Sequence, residues 1–316
     1  MKQKALNPFF FTYSLHLSNS LLLSLFFNQN PKDMSYTHFG KPADVWKHIA
    51  LCEVMTEEKP LVYVETNSAY ATYILNKTPE QQYGIYHFIE KATNHPQLIN
   101  SVYYKTENQA VSESKYLGSP GLAINVLKDI TAKFLFFDIE KEALHSINEY
   151  AKACHLAEKI KTVNQDSIVG VTDLLTTLPK STLIHIDPYC IDQPGANGTN
   201  YLDVFIKASN LGFKCVLWYG FNTIKEKRQL NDFIKKNLKD SQTENLYCIE
   251  LIMEIIEEQS TRCNPGILGN GLLTCNLSAN SLSAISTYSF LLPDIYKGTK
   301  YLGGFKGDLY REEIIK

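Results

Sequence analysis

The residues best equipped for chemistry are Asp187, Pro188 and Tyr189, at the end of the apolar run 183–186. An acid, a ring-locked proline and an aromatic placed together suit a planar, amine-bearing substrate. In an open α/β sheet, ligands bind just beyond the carboxyl ends of the strands. The structural alternative is a strand that stops at a proline, with a carboxylate capping the turn. Polar residues recur at three other expected strand ends: Glu65-Thr66-Asn67, Asp138, and Asp166-Ser167. An acid after the second strand of a nucleoside-binding sheet hydrogen-bonds ribose hydroxyls, which gives Asp138 a candidate role. A surface acid near a helix start explains Asp138 equally well. Asp166 is placed either to meet an adenine amine or to serve as an ordinary turn aspartate.

These ends must be held by a sheet, and the chain supplies one. Helical periodicity runs through residue 55, with apolar Val45, Ile49, Cys52 and Val54. Strands are predicted at 61–64, 134–137, 162–164, 183–186 and 214–218, and helices at 141–158, 168–178, 201–210 and 225–238. Residues 73–114 carry helical stretches without a strong strand and read as an insertion. Residues 116–120 form a turn, followed by a helix to 127. Segments 247–256 and 271–277 read as two strands closing an antiparallel edge. Alternating strands and helices followed by a strand pair predict a doubly wound, Rossmann-like α/β sheet with an antiparallel edge hairpin. The loop after the first strand, Ser68-Ala69-Tyr70-Ala71, has no glycine, although a cofactor-binding turn normally needs close backbone approach there.

With 316 residues and 44% hydrophobic content, the chain can bury a full α/β core. Its net charge of −2 excludes a globally basic nucleic-acid binder. The basic run Lys225-Glu226-Lys227-Arg228 with Lys235 and Lys236 has two readings, a phosphate contact or a solvated helix face. The seven cysteines are odd in number, scattered and without a CxxC pair, so no disulfide framework and no zinc or other metal site is expected. Free thiols imply a reducing, cytoplasmic setting. Residues 1–33 differ from the rest. Lys2 and Lys4 precede an uncharged Phe- and Leu-rich stretch, 9–27. It reads as a targeting-like segment, a weak membrane anchor, or sequence upstream of a start at Met34.

From Met34 onward the chain resembles the bacterial 23S rRNA adenine-N6 methyltransferase J family, earlier described as proteins for using external DNA as a nutrient. The resemblance is carried by Ser35-Tyr36, Ala43-Asp-Val-Trp-Lys-His48, Tyr116-Leu-Gly-Ser-Pro120, Ile186-Asp-Pro188, Leu217-Trp-Tyr219 and Ile249-Glu-Leu251, in the family's order. It implies a seven-stranded methyltransferase sheet over 34–316, S-adenosylmethionine as methyl donor, and an adenine in 23S rRNA, protein-free or in early assembly, as acceptor. A monomer without a membrane partner is expected. By position, His48, Asn67, Ser119, Asp138, Asp166, Ser167 and Asp187 would line the cofactor pocket. Asp187, Pro188 and Tyr189 would form the catalytic motif, and Tyr36 and Lys47 would meet RNA. Two stretches depart from the family. Its loop Asp-Thr-His-Ala-Gly-Ala-Gly is here Glu65-Thr-Asn-Ser-Ala-Tyr-Ala71, and its Asp-Pro-Pro-Tyr is here Asp187-Pro-Tyr-Cys190. A catalytically degenerate relative that binds nucleic acid, or serves in use of external DNA, is therefore the rival expectation.

Overall fold

The computed structural model describes residues 36–316 except 189, 196, 240–244, 254–268, 298, 301–305, 308 and 316. The targeting-like stretch 1–33 thus lies outside the described residues. Among the described residues, those from 38 onward form one compact unit. Among the described residues, no helix is long and apolar enough to cross a membrane.

Five parallel strands form the centre of this unit: β1 (Val62–Thr66), β4 (Lys133–Asp138), β5 (Ile160–Asn164), β6 (Thr182–Ile186) and β7 (Lys214–Phe221). They continue into three antiparallel strands, β8 (Leu246–Met253), β9 (Gly269–Cys275) and β12 (Leu309–Ile315), while β10 (Thr299–Lys300) and β11 (Lys306–Gly307) pair separately. The eight-stranded order is β12-β8-β9-β7-β6-β1-β4-β5. The doubly wound α/β expectation holds, with one correction: the sheet has eight strands rather than seven, the added β12 forming the edge beside β8.

The sequence reading gave residues 279–296 no element. They form helix α11 (Ala279–Tyr296, numbered in chain order), with Ser278 accepting the Ser281 N–H at its start. Its serine-rich composition and internal Pro293 obscure the helical pattern. The insertion is closed by a clasp that also escaped notice. β2 (Thr72–Ile74) and β3 (Lys115–Leu117) pair antiparallel, with Tyr73 opposite Tyr116. Between them lie α2 (Pro79–Gln81), a π-helical turn (Gln82–Tyr86), α3 (His87–Ala92), α4 (Pro96–Asn100) and α5 (Val102–Ser112).

Strand alternation sorts the core into two faces. Tyr63, Phe134, Phe136, Leu183 and Val216 lie on one face. There they meet α1 (Pro42–Glu58), α6 (Ser119–Leu127), α7 (Lys141–Ala153) and α11. Val64, Leu135, Phe137, Ile184, Ile186 and Leu217 lie on the other. They meet α8 (Ser167–Leu174), α9 (Tyr201–Asn210) and α10 (Ile224–Leu238). Burial on both faces is why the central strands read as apolar runs without alternation. Each fully buried large side chain contributes about 1.5–3 kcal/mol. Helix α1 is the most enclosed helix of the first face. Trp46 is wholly buried and its indole N–H donates to Ser289 Oγ of α11 at 2.9 Å. Lys47 and His48 follow it and are buried too, so this helix carries polar groups into the interior.

Candidate active site

The chain leaves β1 toward β4 and β5 on one side, then returns to β6 on the other. That reversal opens a crevice between the carboxyl ends of β1 and β6, the place where such sheets bind ligands. Register sets the two ends side by side, with Glu65 opposite His185 and Thr66 opposite Ile186. Thr66 Oγ1 accepts the Asp187 N–H at 3.1 Å, so β1 fixes the backbone of the first residue beyond β6.

Asp187 is mostly buried, and its two oxygens differ. Oδ2 takes the Lys47 ammonium at 2.8 Å. Oδ1 is buried without a hydrogen-bond partner among the described residues. Lys47 also lies 3.7 Å from Asp44 Oδ1 and 4.9 Å from the Trp218 ring centre. Burial works against its charge, but Asp187, Asp44 and Glu65 outweigh it and hold its pKa above the ordinary lysine value. Lys47 was expected on RNA; its ammonium instead lies inside, against the motif acid. Pro188 is buried beside Asp187. Tyr189 lies outside the described residues. Tyr36 falls outside the unit 38–316 that holds these groups.

Behind Asp187 lies a buried polar cluster that sequence reasoning missed. Glu65 accepts the Tyr63 hydroxyl at 2.9 Å and the Ser119 hydroxyl on its other oxygen. His185 Nδ1 is 3.4 Å from Glu65 Oε1 and 3.3 Å from the Tyr63 hydroxyl, and its Nε2 has no partner among the described residues. Both Glu65 and His185 are wholly buried. The sequence signal was present, because a glutamate and a histidine inside two apolar strands need partners. Strand register, which pairs them, was not readable. Glu65, His185 and Asp187 each offer a ligand atom within 4.8 Å of the others. The cation that meets Asp187 there is the Lys47 ammonium.

The expected cofactor residues fall into two groups. His48, Ser119, Asn67 and Ser167 lie around the β1 end. His48 Nδ1 meets the Tyr116 hydroxyl at 2.8 Å, while Nε2 is buried and unpartnered among the described residues. Burial, then the charges of Lys47 and His185, push the His48 pKa well below the ordinary histidine range. The ring is therefore neutral. Its Nε2 donates or accepts according to the tautomer. Ser119 is spent on Glu65. Ser167 Oγ donates to Asn67 Oδ1 at 3.3 Å and meets the Tyr201 hydroxyl at 3.0 Å. The second group are the acids of β4 and β5. Asp138 is buried and accepts the N–H of Ala69 and of Glu140, each at 2.8 Å. Asp166 caps α8 by accepting the Ile168 N–H at 2.9 Å, the turn role that the sequence left open.

The loop after β1 keeps a tight turn without glycine. Asn67 and Ala69 both adopt left-handed backbone, with φ of 52° and 55°. The Ala69 N–H reaches Asp138 from that conformation. Ser68 ties the loop down by donating its N–H to the Phe137 carbonyl at 3.0 Å. Glycine appears across the contact instead. A Cβ at Gly118 would stand 2.1 Å from the Tyr70 carbonyl, and one at Gly121 2.3 Å from that of Ala71. These glycines let α6 press against the loop backbone.

The chain shares its fold with a protein of Legionella pneumophila. That crystal structure, of LPL1258 and described under the family model DUF519, is 24% identical to this chain, with a TM-score of 0.64, covering 87% of this chain and 98% of its own. Two looser likenesses are a SAM-dependent methyltransferase from Agrobacterium tumefaciens (14% identity, TM-score 0.40, 76% of this chain and 64% of its own) and an rRNA methylase from Streptococcus thermophilus (10% identity, TM-score 0.37, 73% of this chain and 95% of its own). At those scores neither carries an argument about this chain. No family model and no curated protein matches the sequence.

Proposed function

We propose that residues 34–316 form an S-adenosylmethionine-dependent methyltransferase acting on N6 of an adenine in 23S rRNA, in the cytoplasm. One observation carries this reading. Asp187 Oδ1 is buried and, among the described residues, unpartnered at the topological switch point, while its twin oxygen is held by Lys47. An unmet buried acceptor costs about 1–3 kcal/mol, more for a charged group, and a ligand N–H removes that cost. The exocyclic amine of adenine presents such hydrogens.

The residues fit the donor. Asp138, at the end of β4, accepts two backbone N–H groups, and a ribose hydroxyl is the contact that an acid after this strand supplies in a nucleoside-binding sheet. The buried Nε2 of His48 offers a further polar contact. When bound, S-adenosylmethionine supplies an electrophilic methyl group. The adenine amine is a weak nucleophile because its lone pair is delocalised into the ring. Asp187 Oδ1 accepts one N6 hydrogen and the Pro188 carbonyl the other, which favours a tetrahedral nitrogen. Lys47 fixes the carboxylate's orientation. Tyr189 stacks on the extruded base, a contact worth about 1–3 kcal/mol. Holding the amine in line supplies much of the acceleration.

The test incubates the full chain with labelled donor and protein-free 23S rRNA from a strain lacking the modification. Label in a single N6-methyladenine is the expected result. Transfer undiminished by Asp187→Ala would overturn the assignment, and calorimetry showing no donor binding at millimolar concentration would favour a degenerate, nucleic-acid-binding relative.

A further inference from the structure

We infer that the exposed face of α10 is an electrostatic track for the phosphate backbone of single-stranded RNA leading to the Asp187 site. This rests on the RNA reading above and names the surface that would serve it. Lys225, Arg228, Lys235, Lys236 and Lys239, the last at the C-cap, are all exposed, and Asp232 is the one exposed acid among them. Lys227 is the exception on this helix. It turns inward, 3.0 Å from Glu250 Oε2, and also meets Glu312.

Three features set this face apart. The first is that unpaired cations cluster on it. Among the described residues none of the five makes an ion pair; exposed Lys77, Lys105, Lys141 and Lys207 make none either, but they are scattered, whereas these five lie within fifteen residues on one helix. The second is like-charge crowding: Lys225 with Arg228, Lys235 with Lys239, and Lys236 with Lys239 stand at neighbouring helical spacings in a chain whose net charge is −2, although Lys235 and Lys236 in the last turn meet the negative end of the helix dipole and Asp232 lies one turn from Arg228 and from Lys236. The third is position. α10 begins just after β7, whose Leu217 lies beside Ile186 at the carboxyl end of β6. Glu226 in its first turn lies close enough to Cys190, three residues beyond Asp187, to help raise that thiol's pKa, behind burial and Asp192. The track therefore starts at the site rim and extends roughly 22 Å along the helix. Lysine and arginine on phosphates give position without sequence preference, which leaves base selection to the site.

The test is the salt dependence of binding to a fluorescein-labelled single-stranded RNA of about 20 nucleotides, with Lys225, Arg228, Lys235, Lys236 and Lys239 all changed to Gln. Each lost phosphate contact lowers the slope of log affinity against log salt by about 0.7, so a drop of about 2–3.5 is expected, with affinity at least about tenfold weaker near 0.1 M salt. Thermal unfolding and donor affinity serve as the checks on folding, and both should match the parent chain. A control variant, Lys91→Gln with Lys115→Gln and Lys152→Gln, should leave the slope unchanged. An unaltered slope in the five-fold variant, or an equal drop in the control, overturns the inference. The two readings fail separately. Methyl transfer with an unaltered slope removes the track and keeps the enzyme. An altered slope in a chain that never transfers methyl keeps the track and removes the enzyme.

Discussion

The two ends of α1 each bring a lysine and a carboxylate together, and they do so differently. At the carboxyl edge of the sheet, Lys47 holds one oxygen of Asp187 and the other is left without a partner among the described residues. At the amino edge, roughly 17 Å along the helix from Lys47, both oxygens of Glu58 are spent. Oε2 meets Lys214 at 2.6 Å, while Oε1 accepts the Ser278 N–H at 2.7 Å and the Ser281 hydroxyl. Glu58 has the saturated hydrogen bonding of a structural joint, binding α1 to β7 and α11. Asp187 has the same kind of ion pair with one acceptor withheld. A fold under selection for stability alone would have satisfied both.

The comparison breaks most sharply at Asp187. Asp187→Ala is expected to lower methyl transfer by about 100-fold or more, since a misplaced reacting group costs on that order. It also leaves the buried Lys47 ammonium with only the longer contact to Asp44 at 3.7 Å, a loss of about 3–5 kcal/mol in stability. Combining it with Lys47→Met removes the stranded charge. Stability should then largely return while transfer stays lost. Recovery of transfer along with stability would mean that Asp187 only holds the fold together.

At the other end of α1 the expectation reverses. Glu58→Gln should cost about 1–3 kcal/mol of stability and leave donor affinity unchanged, as read by chemical denaturation and calorimetry. Burial raises the Glu58 pKa, but Lys214, Ser281 and Ser278 outweigh it, so the folded value lies below the ordinary carboxylate one. The stability it contributes is thus present above the unfolded pKa near 4.5 and lost as pH falls through the lower folded value. The Gln variant should show a shallower acid decline than the parent chain. An identical acid limb would remove Glu58 from the account.

Glu107 shows the opposite sign. It is wholly buried and accepts only the Leu117 N–H, at 3.1 and 3.3 Å to its two oxygens, among the bonds described. Burial pushes its pKa well above the ordinary value despite that bond. A raised folded pKa gives stability that is complete below the unfolded pKa and is lost as pH rises through the folded one. Glu107→Gln should flatten the pH dependence of stability on the alkaline side of pH 5, measured by denaturant midpoints at pH 5 and pH 8. An unchanged difference between the two midpoints would refute this.

The five parallel strands through β7 and the acids at the ends of β4, β5 and β6 could be read from the chain, because buried parallel strands write themselves as short apolar runs with polar stops. β12, α11 and the clasp around the insertion could not. Thr72–Ile74 and Lys115–Leu117 are too short to show a period, and the partners that make them strands are more than forty residues apart. The Glu65–His185 contact escaped for a related reason. It exists only through the register of β1 on β6. The place of Lys47 depended on the same kind of information. The family resemblance put it on RNA, whereas packing around α1 encloses it.

The smallest effect concerns the loop after β1, where the absent glycines at first suggested a lost pocket. Ala69 and Asn67 both hold left-handed backbone, and the two residue types bear it differently. Left-handed backbone costs an alanine about 1–2 kcal/mol through its Cβ, while asparagine enters that region more readily. Glycine at either position also loses about 0.4–1 kcal/mol to the greater freedom of the unfolded chain. Ala69→Gly should therefore stabilise the protein by about 0.5–1 kcal/mol, and Asn67→Gly should give no gain. The Ala69 N–H to Asp138 is unaffected by removing a Cβ, so the turn survives the change. If denaturation shows equal shifts for both variants, the left-handed turn at residue 69 is not strained. If Ala69→Gly alone gains, the loop has kept the backbone path of a glycine turn at a cost in stability. The absent glycines then mark strain in the loop after β1 and leave its shape in place.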